Sequence, residues 1–327
     1  MKKYRFSNNV PDLIRTHTVE LLERWQFGLG SDAIFVEPLE GGLNNTNLIL
    51  SNAIEKWVLK IRPDDFQIYG ADSEASLIAQ KACSKIGIAP KVLFSDEQGR
   101  NFISEFVLGV TLRPEYVRKN NLYGEIIDTL HVLHGIQSDL KERSFFDDIR
   151  LFMAGANKEK INYPFGFTQL LNKVYELERI LIDSKAPKGF CHNDLVPQNF
   201  LQSDNSIQLV DFDYAGTGLI AADLASATSQ FEMTEDEIES FLKRYDNELD
   251  DGQRGRLTAL RFCNNIREIS FTLFAEPLLS GRTATNDEIN YQSHRKFNLE
   301  QAEQAMSDPS FVDKCSAASS VRSGSLF

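Results

Sequence analysis

The stretch from Gly189 to Asp213 constrains the fold of this chain more than any other part of its sequence. It contains the polar segment His-Asn-Asp-Leu-Val-Pro-Gln-Asn at 192–199, which predicts a loop, and the apolar run Ile-Gln-Leu-Val at 207–210, which predicts a short strand. The carboxylates of Asp211 and Asp213 follow directly after that strand. We therefore predict a small hairpin whose ends bring acidic and amide side chains together.

Acidic and amide side chains in this arrangement suit chemistry on phosphate groups. Mg²⁺ prefers oxygen ligands, and proteins usually hold it with one or two carboxylates together with the phosphates of the substrate. An alcohol that attacks a phosphate needs a hydrogen-bond acceptor beside its hydroxyl. The pattern H-x-D-x-x-x-x-N, followed by a strand and D-F-D, therefore predicts a site for a metal-bound nucleotide and an alcohol. A polar turn cluster that only hydrogen-bonds its own loop is the alternative.

The hairpin resembles the catalytic and metal-binding loops of the choline/ethanolamine kinase and aminoglycoside phosphotransferase group, which is distantly similar to protein kinases. Protein kinases carry H-R-D-L-x-x-x-N and D-F-G at the same places. The run Val-Asp-Phe-Asp-Tyr-Ala-Gly at 210–216, with Asp-Leu-Ala at 223–225, is most similar to the bacterial choline kinase branch. The resemblance implies an α+β, two-lobed protein kinase-like fold, with an N-terminal antiparallel sheet lobe and a mostly helical C-terminal lobe.

The hydrophobic pattern along the chain agrees with two lobes. Strand-like alternation before residue 108 gives way to helical spacing beyond it. We place the N-terminal nucleotide-binding lobe at 1–107, the C-terminal catalytic and substrate-binding lobe at 108–306, and a loosely held, Ser-rich tail at 307–327. Strands are predicted at 33–39, 46–50, 57–61, 92–94 and 101–107. Helices are predicted at 11–25, 72–86, 123–135, 145–152, 167–182, 235–245, 257–276 and 286–306.

The resemblance assigns a role to each polar residue of the hairpin. Asp194 is expected to accept or orient the proton of the substrate hydroxyl. Three residues are expected to hold Mg²⁺ on the phosphates of ATP, and they are Asn199, Asp211 and Asp213. His192 is expected to brace the metal loop, and Asp223 to anchor the catalytic loop by accepting its backbone amides. A pseudokinase, which binds nucleotide without turnover, usually lacks the equivalent of Asp194, Asn199 or Asp211, and this chain has all three.

In the N-terminal lobe the resemblance implies a nucleotide site. The family pattern Gly-Gly-x-x-N-x-N is matched by Gly41, Gly42, Asn45 and Asn47. Glycine permits backbone amides to approach phosphates closely, although most Gly-Gly pairs are plain hairpin turns. Lys60 is expected at the α- and β-phosphates of ATP. Glu74 is either the ion-pair partner of this lysine or a favourable charge in the first turn of a helix. The segment 103–109 matches the interlobe hinge, where the backbone groups of Glu105 and Val107 are expected to meet adenine.

The acceptor is expected to be a small molecule, because no room for a long activation segment exists between the hairpin and Asp223, and no A-P-E follows. Phe271 and Phe274 resemble the Trp-x-x-Trp of eukaryotic choline kinases, and Tyr291 resembles the aromatic residue of that family's last substrate helix. Aromatic faces attract a quaternary ammonium group. Phe is a weaker face than Trp, and packing in the core is the alternative for this pair.

Charge and composition limit the partners. The formal net charge of −12 disfavours nucleic acid and anionic membrane surfaces. No run of ~18 apolar residues occurs, and the four cysteines are far apart without a C-x-x-C, so we expect a cytoplasmic protein. The sequence leaves the oligomeric state open, with a dimer among the alternatives.

Together these features predict an ATP- and Mg²⁺-dependent kinase of a small cationic alcohol, choline or ethanolamine first. The alternatives are an aminoglycoside, thiamine or homoserine kinase of the same fold, or a non-catalytic pseudokinase.

Overall fold

The structure is a computed structural model, and it describes residues 3–25, 33–39, 45–137, 139–182, 186–204, 206–246, 250–279 and 291–318. An N-terminal sheet is followed by a mainly helical region, so the chain has the mixed α+β composition that the sequence predicts. None of the helices in the described ranges is long and apolar enough to cross a membrane.

The N-terminal region is built on a six-stranded sheet. Its strands are β1 (Tyr4–Phe6), β2 (Ile34–Pro38), β3 (Thr46–Ser51), β4 (Lys56–Ile61), β5 (Val92–Ser95) and β6 (Asn101–Glu105). They lie in the order β1-β2-β3-β4-β6-β5, and every pair except the parallel β1–β2 is antiparallel. Two helices accompany the sheet, and they are α1 (Asp12–Arg24) and α2 (Ser73–Lys85).

The alternation of side chains along β4 decides what this sheet presents to each side. Trp57, Leu59 and Ile61 are buried in the apolar core, where Trp57 packs edge-on against Trp25 with ring centroids 5.3 Å apart. Lys60 therefore points to the opposite side. That side faces the C-terminal region.

The C-terminal region is mostly helical. Its helices are α3 (Pro114–Asn120), α4 (Tyr123–His134), α5 (Phe145–Lys158), α6 (Phe167–Ile182), α7 (Ile220–Gln230), α8 (Glu235–Tyr245), α9 (Asp251–Leu279), α10 (Tyr291–Ser307) and α11 (Phe311–Ala317). The long helix α9 contacts α5, α6, α7, α10 and α11, so it is the centre around which this region packs. Every residue of α7 is buried.

Two small sheets hold the central hairpin. Their strands are β7 (Val110–Thr111), β8 (Lys188–Cys191), β9 (Phe200–Ser203), β10 (Ser206–Leu209) and β11 (Gly216–Leu219). β9 pairs with β10 and β7, and β8 pairs with β11, all antiparallel. The loop 192–199 lies between β8 and β9, and the loop 210–215 between β10 and β11. Because the strands of each pair are antiparallel, the end of β8 lies beside the start of β11, and the start of β9 lies beside the end of β10. Both loops therefore connect the same ends of the two sheets.

The expected loose tail from residue 307 differs from the structure as far as residue 318. The helix α11 packs against α9, with Phe311 and Cys315 buried. A Cβ atom on Gly255 would lie 2.2 Å from the backbone oxygen of Lys314, so only glycine allows this close approach of the two helices. The Ser-rich composition did not indicate this helix, whose buried residues Phe311 and Cys315 lie on one face. Residues 319–327 lie outside the described ranges.

Candidate active site

The loop that carries Asp194 is anchored by one buried carboxylate. The two side-chain oxygens of Asp223, on α7, accept the backbone N–H groups of His192 and Asn193, each at 2.8 Å. The Nε2 atom of His192 donates to the carbonyl of Val210 at 3.0 Å. Burial lowers the pKa of His192, so the ring is neutral and ties the 192–199 loop to the residue that precedes Asp211.

A second layer of hydrogen bonds supports Asp223. The imidazole of His134 bridges the carboxylate of Asp223 at 3.2 Å and the hydroxyl of Tyr245 at 2.7 Å. Cys191 lies beside this pair, and the three possible ligand atoms of His134, Cys191 and Asp223 lie within 4.8 Å of one another. Both oxygens of Asp223 already accept amide protons, and burial raises the pKa of Cys191, so the thiol keeps its proton. The cluster is therefore an anchor for the loop and is unsuited to a cation.

Asp194 and Asn199 face each other across a short 3₁₀ turn at Pro197–Asn199. The side-chain nitrogen of Asn199 donates to the backbone oxygen of Asp194 at 2.8 Å and to its carboxylate at 3.1 Å. Because the nitrogen makes both bonds, the amide oxygen is the atom that Asn199 offers to a cation. Asp194, the expected base, and Asn199, an expected metal ligand, are therefore held side by side.

The surroundings of Asp194 make it a weak acid near neutral pH. Burial raises the pKa of this carboxyl to about 7, against the lowering effect of the nearby Arg267 charge. The negative charges of Glu268 and Asp211 raise it further. A group whose pKa lies near the operating pH is well suited to accept a proton during catalysis.

Lys60 joins the two carboxylates that follow β10. Its Nζ atom lies 2.7 Å from Oδ1 of Asp211 and 3.0 and 3.1 Å from the two oxygens of Asp213. Burial and the Asp213 charge raise the pKa of Asp211. Burial opposes ionisation of Asp213 as well, but the charges of Lys60 and Arg62 outweigh it and hold the pKa of Asp213 well below its usual range.

Arg62 and Ser76 belong to this cluster, and the sequence interpretation missed both. Arg62 Nη2 donates to Asp213 at 2.7 Å, and the hydroxyl of Ser76 donates to the same carboxylate oxygen at 3.0 Å. Asn45 Nδ2 donates to the other oxygen at 2.8 Å. The period of two along a strand could have identified Arg62, because residues 60 and 62 share a face.

The alternative in which Lys60 and Glu74 form an ion pair is wrong. Glu74 is exposed in the first turn of α2, where Asp72 caps the helix by accepting the N–H groups of residues 74 and 75. Ser76, two residues further and on the opposite side of the helix, faces Asp213 instead. The other alternative for Glu74, a favourable charge at a helix N-terminus, fits this position.

The remaining predicted nucleotide contacts have these places. Asn47 lies on β3 directly opposite Lys60 on β4. Glu105 ends β6, and Val107 is half-buried in the segment that leads to β7. Contact of these two residues with adenine stays a prediction. Gly41 and Gly42 lie outside the described residues.

The three predicted substrate aromatics come together in one cluster. Phe274 is buried, stacks on Phe152 with centroids 5.9 Å apart, and meets Tyr69 edge-on at 5.7 Å. Phe271 meets Phe152 edge-on at 5.4 Å, and Tyr291 packs against the same group. For Phe274 the geometry favours the packing alternative, while Phe271 and Tyr291 are only half-buried.

A guanidinium group already lies over the rings beside this cluster. Arg267 is 5.1 Å from the ring centre of Tyr214 and 6.0 Å from that of Phe152. It is buried, and it donates to Asp148 and Glu268, each at 3.0 Å. The side chain of Arg267 therefore occupies the position over these rings that a bound cation could take.

Comparison with known proteins identifies relatives of this chain. The family model described as choline/ethanolamine kinase matches residues 36–256. A probable ethanolamine kinase from Arabidopsis thaliana is 26% identical over 230 residues, which cover 65% of this chain and 60% of that protein. The crystal structure of choline kinase LicA from Streptococcus pneumoniae is similar with a TM-score of 0.70 and 21% identity, covering 87% of this chain and 99% of that one. A structure of LicA in complex with AMP is similar with a TM-score of 0.69 and 19% identity, covering 89% and 99%.

The structural similarities confirm the predicted two-lobed, protein kinase-like α+β fold. At these identities they show the fold alone. This chain spans less than two thirds of the Arabidopsis protein's own length.

Proposed function

Because this chain belongs to the choline/ethanolamine kinase family, we propose that it transfers the terminal phosphate of ATP to the hydroxyl of a small cationic alcohol, choline or ethanolamine first. The observation that carries the proposal is that Asp194, Asn199 and Asp211 lie on two loops held by the same small sheets, where Lys60 of β4 reaches Asp211. The LicA complex with AMP supports a nucleotide at this site.

The donor atoms suit Mg²⁺, since the carboxylate of Asp211 and the amide oxygen of Asn199 are hard oxygen ligands. A bound Mg²⁺ would neutralise charge on the phosphates. Lys60 would leave the carboxylates and bind the α- and β-phosphates. Asp194 would accept the hydroxyl proton of the alcohol, and Asn199 would keep the Asp194 carboxylate in place through its side-chain nitrogen.

Three features support a small cationic alcohol as the acceptor. The names of the family and of its relatives are those of choline and ethanolamine kinases. The chain carries a net charge of −12, which favours cations over anions. Phe271 and Tyr291 are half-buried beside the catalytic loops and offer aromatic faces.

All four cysteines are free and buried, which supports a reducing cytoplasm as the compartment.

A coupled assay of ADP release with a panel of alcohols tests the proposal. The panel contains choline, ethanolamine, an aminoglycoside, thiamine and homoserine, and ³¹P NMR identifies the phosphorylated product. We expect turnover with choline or ethanolamine, and loss of turnover in Asp194→Asn. Asp204→Asn is the matched control, because this exposed aspartate lies in the turn between β9 and β10, at the far end of the hairpin.

Two results would contradict the proposal. Turnover with only a different member of the panel would replace the substrate, while leaving the phosphotransfer reaction intact. Binding of nucleotide without turnover of any member would support the pseudokinase alternative.

A further inference from the structure

The carboxylate of Asp213 is saturated by protein donors. Oδ1 accepts from Lys60 at 3.0 Å, Arg62 at 2.7 Å and Ser76 at 3.0 Å, and Oδ2 accepts from Asn45 at 2.8 Å and Lys60 at 3.1 Å. A carboxylate offers about four acceptor positions. The contacts from Arg62, Ser76 and Asn45 persist when Lys60 leaves and fill three of these positions, and they conflict with the expectation that Asp213 is a third metal ligand.

Arg62 is the fixed member of this group of donors. Its side chain is 0% exposed, and its guanidinium lies over the rings of Phe66 and Phe102, with centroids at 5.0 and 5.3 Å. The same group donates to the carbonyl of Gly99 at 2.8 Å and to the hydroxyl of Ser76 at 2.6 Å. Partners on several sides leave Arg62 no freedom to move away from Asp213.

Lys60 is the member that must move. Its amine bridges Asp211 and Asp213, and under the proposed function it has to reach the phosphates of the nucleotide. Asp213 is only 5% exposed, so an uncompensated charge there would be costly, and without another cation it would retain the lysine. Arg62 supplies that other cation.

We propose that Arg62 is a positioning residue that permanently neutralises Asp213, so that Lys60 is free to bind phosphate and Asp211 alone supplies the carboxylate for the metal ion. This inference rests on the proposed nucleotide chemistry. It assigns Asp213 to holding β4 and α2 onto the catalytic hairpin.

Binding measurements with MgADP and Mn²⁺ test the inference without relying on turnover. Arg62→Met should weaken MgADP at least ~10-fold in calorimetry, which is the effect of roughly 1.4 kcal/mol of retained Lys60–Asp213 pairing. The double variant Arg62→Met/Asp213→Asn should recover affinity to within about threefold of wild type. Arg62→Lys keeps a cation at this position and should lose less affinity than Arg62→Met. Arg100→Met is the control, because Arg100 is a part-exposed arginine in the turn before β6 and its side chain pairs with the exposed Asp64.

Metal binding gives a second readout. In EPR titrations with ADP present, Asp213→Asn should bind Mn²⁺ with the stoichiometry of wild type, and Asp211→Asn should lose that binding. If Arg62→Met does not fold, Asp213→Asn decides the question.

The outcomes separate this inference from the function on which it rests. A wild-type protein that binds no MgADP overturns both. If wild type binds MgADP, loss of Mn²⁺ in Asp213→Asn overturns the inference alone. So does a double variant that binds no better than Arg62→Met.

Discussion

Phe274→Ala should lower the free energy of unfolding by about 3–5 kcal/mol, the usual loss when a buried phenylalanine is truncated. Phe274 is 7% exposed. Its ring stacks on Phe152 and meets Tyr69 edge-on, and it lies against the backbone of Gly155 on α5. The truncation would therefore leave a cavity between α5 and α9 that neither helix can close by a local shift.

The assay is thermal and urea denaturation beside the two Michaelis constants. In a chain of this length each kcal/mol shifts Tm by roughly 2 °C, so we expect a loss of roughly 6–10 °C. The Michaelis constants for ATP and for the alcohol should change together, if at all. A variant with the stability of wild type and a raised constant for the alcohol alone would refute the packing role and restore the cation-binding alternative for Phe274.

Gly155→Ala perturbs the same contact from the other side. A Cβ atom there would lie 2.2 Å from two atoms of the Phe274 ring. Alanine gains about 1 kcal/mol of helix propensity over glycine, while overpacking costs about 1–3 kcal/mol, so the sum should be destabilising. Phe274→Leu should relieve the clash in the double variant. Phe274→Trp should also lower the stability, because the larger ring has no space beside Gly155.

Four further predictions concern the catalytic loops. Asp194→Asn should lower kcat by roughly 100-fold or more while the affinity for ATP, measured by calorimetry, stays near that of wild type; a loss confined to the Michaelis constant for ATP would contradict its role. Because the pKa of Asp194 is raised to about 7, kcat/KM of wild type should fall as pH drops below 7. The free energy of unfolding should fall as pH rises from the ordinary aspartate range to 7, since the folded state holds the proton more tightly, and denaturation curves at pH 5 and 8 check the sign. Asp211→Ala should abolish turnover, and near-native activity would show that another residue holds the metal. Asp223→Ala leaves two buried N–H groups without their acceptor, so kcat should fall and Tm should drop, and an unchanged Tm would argue against the anchor.

Local pattern was sufficient for the amphipathic helices and for the hairpin. α6 and α8 have the bounds that their apolar spacing predicts, because one face of each is buried and the other is exposed. α7 was missed because it is buried on all sides, which removes the polar face that periodicity needs. β8 and β11 were missed because strands of four residues become strands only through their pairing.

The sequence by itself determined which groups can perform the chemistry, since Asp194, Asn199 and Asp211 form a motif within a short stretch of chain. Only the tertiary structure decided which charges neutralise them. Lys60 and Arg62 meet Asp213 across sequence separations of 153 and 151 residues, and the choice of Ser76 over Glu74 depends on how α2 is rotated. Such contacts depend on how β4 and α2 pack against the hairpin, and no local spacing records that packing.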